Sequence, residues 1–106
     1  MLECTYTWGG EAKTVRVDAA LDVYRVAPIT VGEHFALKVV YVREPADVAG
    51  VRVYTYQVTS DGLLPLSEAK YAPPYGAGGA HGFTGLQFVY EPRGDELQYS
   101  CAWVKP

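Results

Sequence analysis

Few residues in this chain are of types that could do acid–base, nucleophilic or metal chemistry. His34 and His81 are its only histidines, 47 residues apart, and no H-x-H or H-x-x-H spacing aims two imidazoles at one ion. A two-His metal site would need the fold to bring them together, and no third ligand stands beside either. His34 is expected at a strand start with its ring toward solvent. Serine is limited to Ser60, Ser67 and Ser100, none of them inside G-x-S-x-G. Strand alternation also turns Ser100 outward, a poor place for a nucleophile. The carboxylate pairs Glu33/Glu44, Asp95/Glu96 and Glu11/Asp18 fall at strand ends and turns, and no spacing singles out a glycosidase-like pair. No catalytic residue, metal ligand set or cofactor is assigned. A small hydrolase or His-dependent metal protein stands third, behind two binding readings.

Recognition chemistry is better represented. The segment YAPPYGAGGAHGFTG, residues 71–85, holds five Gly, the consecutive Pro73-Pro74 and four ring-bearing side chains, Tyr71, Tyr75, His81 and Phe83. A long loop of this kind in a compact domain is usually functional or disordered. Tyr and His offer flat contact area with a polar tip, which suits a protein partner or a sugar; the same rings could also fold back onto the sheet. A second surface lies in GVRVYTYQ (50–57). If Val51 and Val53 face inward, Arg52, Tyr54 and Tyr56 form an outward row. The leading expectation is a non-enzymatic protein-binding or inhibitory module acting through 71–85. The alternative is a carbohydrate-binding module using Tyr54, Tyr56, Tyr71 and Tyr75.

These residues must be positioned by strands. Val occurs fourteen times and Tyr nine, both suited to a pleated, half-buried surface, and eleven Gly and seven Pro punctuate the chain. Alternation predicts strands over 2–8, 14–19, 21–26, 34–44, 50–62, 85–91 and 96–104, with 63–72 either a short strand or one helical turn. P-R-G-D (92–95) reads as a tight hairpin connection. Nowhere do apolar residues recur at helical spacing over ten positions. The expected fold is one all-β domain over 1–106, an antiparallel sandwich of seven or eight short strands.

The two cysteines sit near the ends of the chain. Leu2, Cys4, Tyr6 and Trp8 share one strand face, and Leu97, Tyr99, Cys101 and Trp103 share another. Neither cysteine belongs to C-x-x-C or stands at ligand spacing from a histidine. The choice is between two buried thiols and a Cys4–Cys101 disulfide joining the terminal strands, and the disulfide is preferred. In the chain-entropy account a bridge around so long a loop stabilises by about 4–5 kcal/mol. Asp95, Tyr99 and Cys101 keep a D-x-x-x-Y-x-C spacing that resembles the second-cysteine strand of immunoglobulin domains. The resemblance covers about ten residues. It implies a sandwich in which the tyrosine ties its strand to the preceding loop.

Disulfides persist in oxidising compartments, so a periplasmic or secreted protein is expected, with a partner in the envelope or outside the cell. The absence of Asn and the single Ile (Ile29) point to a GC-rich, bacterial source. No charged-then-apolar leader precedes LECTYTW, so a removed leader is part of that expectation. Hydrophobic content is 49% against 20% charged, and the net charge of −3 includes five Arg and four Lys spread singly. Without a basic run the nucleic-acid footprint is missing. No apolar stretch approaches the eighteen or so residues of a membrane span.

Overall fold

The computed structural model describes residues 1–76 and 78–105. It contains eight strands: β1 (Leu2–Trp8), β2 (Glu11–Val17), β3 (Ile29–Val31), β4 (Phe35–Val42), β5 (Gly50–Thr59), β6 (Gly62–Tyr71), β7 (Gln87–Tyr90) and β8 (Glu96–Trp103). They form two four-stranded antiparallel sheets, in the orders β2-β1-β8-β7 and β3-β4-β5-β6. The sandwich is therefore as the alternation predicts.

Its connectivity is a ring. Each strand neighbours its sequence predecessor except across two seams, β2/β3 and β6/β7, where the chain changes sheets, and β8 returns to pair with β1. This order differs from the immunoglobulin one, in which sequence-distant strands interleave within a sheet. The disulfide differs too. Cys4 and Cys101 are direct cross-strand partners in one sheet, with Cα atoms 4.0 Å apart, and do not bridge the two sheets. Tyr99 faces the core, where burial and then the nearby Tyr71 push its phenol pKa upward. Asp95, the residue that completes the spacing, instead engages Glu91 and His34.

The core lies between the sheets. Leu2, Cys4, Val89, Leu97, Tyr99 and Cys101 meet Val31, Phe35, Leu37, Val39, Val51 and Val53. Full burial of each Leu, Val or Phe contributes about 1.5–3 kcal/mol. Thr55 is also fully buried, and its hydroxyl is satisfied by that of Ser67.

Several boundaries differ from the sequence expectation. β2 starts at Glu11 rather than Thr14, because Gly9 and Gly10 both adopt positive φ (62° and 84°) and close a two-residue hairpin. Residues 21–26 are not a strand. Asp22 accepts a hydrogen bond from the Tyr24 amide at 3.0 Å and initiates a 3-10 turn over Val23–Arg25, leaving Leu21 and Tyr24 fully exposed. Residues 62–71 resolve as a full strand. Pro65 fits because β6 is an edge and its register against β5 shifts beside Pro65, between Thr55 and Tyr56.

Candidate functional site

The outer face of the β3–β6 sheet is set by strand register. Ala36, Tyr56 and Pro65 form one cross-strand row, Lys38, Tyr54 and Glu68 the next, and Val40, Arg52 and Lys70 the third. Val51 and Val53 are buried in the core, so the expected row of Arg52, Tyr54 and Tyr56 does lie on the opposite face, half-buried. The Lys38 ammonium sits 4.8 Å from the centre of the Tyr54 ring, a cation–π contact. Tyr54, Tyr56, Pro65, Leu66, Ser67 and Glu68 line a shallow groove of about 420 Å³.

The charge on this face is out of balance. Arg52 stands directly opposite Lys70, and like charges at paired positions destabilise a sheet. Neither cation has an ion-pair partner among the described residues. Three cations surround the two tyrosines with a single carboxylate between them, on a chain whose net charge is −3.

No protein-family model, no curated protein and no solved structure matches this chain.

The 71–85 segment is built differently from a free aromatic loop. Tyr71, Tyr75 and Phe83 turn inward: Tyr75 and Phe83 pack on Trp103 and on each other, and Tyr71 packs on Phe83, with ring centres between 5.1 and 5.8 Å apart; Tyr41 closes onto Trp103 from β4 at 5.1 Å. The loop is also held by its backbone. Thr84 is buried, and its hydroxyl accepts the Cys101 N–H at 2.8 Å while donating to the Gly85 carbonyl. Gly82 runs alongside Cys101 so closely that a Cβ there would strike the Cys101 carbonyl and Ala102. Of the four ring residues, His81 alone is exposed.

His34 lies at the other end of the sandwich, by the β3–β4 turn, so the two histidines are not brought together. Its ring is not simply solvent-facing. Nδ1 accepts from Arg93 at 2.6 Å and Nε2 faces an Asp95 carboxylate oxygen at 3.6 Å, which requires the Nε2–H tautomer because Arg can only donate. Arg93 also contacts Glu91 at 3.2 Å. Burial opposes ionisation of Glu91, but the Asp95 amide and the Arg93 guanidinium outweigh it and hold the carboxyl below its usual pKa. Ser67 is bonded to Thr55, and Ser100 lies opposite Thr5 on the outer face of its sheet.

Proposed function

We propose that this protein is a non-enzymatic binding module that holds an acidic, partly apolar segment of a partner protein on the outer face of the β3–β6 sheet. The observation that carries the reading is the unpaired cation set: Arg52 opposite Lys70, with Lys38 seated on Tyr54. A partner carboxylate would relieve the like-charge pair, and Tyr54 and Tyr56 would supply contact area in the groove. Tyr and Arg are enriched at protein interfaces and among their hot spots. The face is preferred to the 71–85 loop because three of that loop's rings are spent on internal packing. The same packing takes Tyr71 and Tyr75 away from a carbohydrate platform with Tyr54 and Tyr56. The disulfide is compatible with an oxidising setting, and the proposed location is periplasmic or secreted.

The test is selection of binders from a random peptide library displayed against the oxidised protein. Enrichment of acidic peptides carrying aromatic or aliphatic residues is expected. Their affinity should fall at least tenfold in the Arg52→Glu/Lys70→Glu variant and in Tyr54→Ala. Peptides without acidic bias, or binding indifferent to both variants, would refute the reading.

A further inference from the structure

The ring order leaves the β2/β3 seam without hydrogen-bonded pairing between its strands, and side chains line the gap. On β1, Leu2 and Cys4 are core residues, and Tyr6 and Trp8 continue the same face toward the hairpin end. On β2, Val15 and Val17 pack against the core, and strand alternation places Lys13 and Glu11 on that inward side as well. The register sets Lys13 directly opposite Tyr6 and Glu11 directly opposite Trp8. Across the seam stand Thr30, Val31 and Gly32. These seven residues line an open cleft of about 200 Å³.

Two features of the cleft point to a ligand. The Trp8 plane is fixed by Gly32, where a Cβ would come within 2.6–2.8 Å of the ring, so the backbone itself forms the stop behind the indole. Glu11 and Lys13 are neighbours on one inward face, yet neither has an ion-pair partner among the described residues. Their charges cancel, so an anion or a cation would gain from one and lose to the other. A neutral ring bearing several hydroxyls loses to neither. Its C–H face can lie against Trp8 and Tyr6, one hydroxyl can donate to Glu11 and another can accept from Lys13. Inward charges also blunt an edge strand against aggregation, but that role needs neither the fixed indole nor the tyrosine beside it.

We infer that the cleft formed by Tyr6, Trp8, Glu11 and Lys13 is a binding site for a single neutral pyranose ring, independent of the protein-binding face proposed above. A ring of about twelve heavy atoms at the ordinary efficiency of small ligands binds with a dissociation constant on the order of a few millimolar.

The experiment is titration of the oxidised, isotopically labelled protein with the methyl glycosides of glucose, galactose and mannose, followed through the indole N–H signals of Trp8 and Trp103. At least one glycoside should shift Trp8 saturably and leave Trp103 in place. Lys13→Met and Glu11→Gln, both at exposed positions and checked for an unchanged circular dichroism spectrum, should each weaken the shift at least tenfold, whereas Tyr54→Ala should leave it intact. Absence of any saturable Trp8 shift would overturn the assignment. So would shifts that survive Lys13→Met, or a response to acetate or to a free amino acid in place of the sugars.

Discussion

Thr84 and Glu91 are buried polar side chains whose partners come from the backbone and from neighbouring turns. Thr84 fills the place a paired strand would occupy beside Cys101, and Val has the same shape without the hydroxyl. Thr84→Val therefore leaves a buried N–H unsatisfied and should cost about 1–3 kcal/mol, read as a lower denaturation midpoint with an unchanged denaturant slope. Glu91 adds a pH dependence. Its folded carboxyl titrates below the usual 4.5, so the unfolded chain binds the proton first as pH falls. The stabilisation from its ionised form is complete above that value and disappears as pH drops through the lowered folded value. Glu91→Gln should thus be destabilising at neutral pH, with the gap to the parent protein closing in denaturation curves taken at progressively lower acidic pH. A constant gap across that range would show that the carboxylate's charge is not what matters. The Thr84 role is not legible in the sequence, because its partner lies seventeen residues away. The Glu91 partners Arg93 and Asp95 are close in sequence, and only the burial that sets its charge against them is not legible.

Strands with a clean period of two were legible, and their pairing was not. Leu2–Trp8, Phe35–Val42 and Glu96–Trp103 each put their apolar set on the side that alternation dictates. Residues 21–26 misled because Leu21, Val23 and Val26 resemble a strand's apolar face, while Asp22 supplies a stronger local preference for a turn. β3 has three residues, too few for any period to show. The disulfide was legible because both cysteines share an inward face with aromatics at the two ends of the chain. It closes a loop of 97 residues, for which the chain-entropy model gives about 4–5 kcal/mol, a large share of a small domain's net stability. Non-reduced mass spectrometry should find no alkylatable thiol, and reductant should lower the unfolding free energy extracted from denaturation curves by that much. A shift below about 1 kcal/mol would mean that β1–β8 pairing alone constrains the unfolded chain as well as the bond does.

At the scale of the molecule, the ring of strands and its two seams decide where the proposed sugar cleft lies and where the fold opens. Parity alone marks Glu11 and Lys13 as inward once β2 is known to begin at Glu11. The Gly9-Gly10 hairpin was the signal for that, and it was there to be read. That Gly32 would stand behind Trp8 depends on how two sheets face one another, which no local pattern encodes. The seams also predict a gradient of opening. β4 and β5 pair along their full length inside their sheet, and β1 and β8 are central in theirs and covalently joined. β3 and β7 are short edges, and a seam offers no second ladder to hold them. Local opening is governed by such differences in pairing and burial. Native-state hydrogen exchange should therefore show β4, β5, β1 and β8 amides exchanging only through global unfolding, and β3 and β7 amides exchanging through openings of much lower free energy. Sugar in the β2/β3 cleft should slow β3 and leave β7 unchanged, since that ligand ties one seam and not the other. If β3 were as protected as β4 without ligand, β2 and β3 would have to be joined by a continuous ladder, and the cleft between them would not exist in solution.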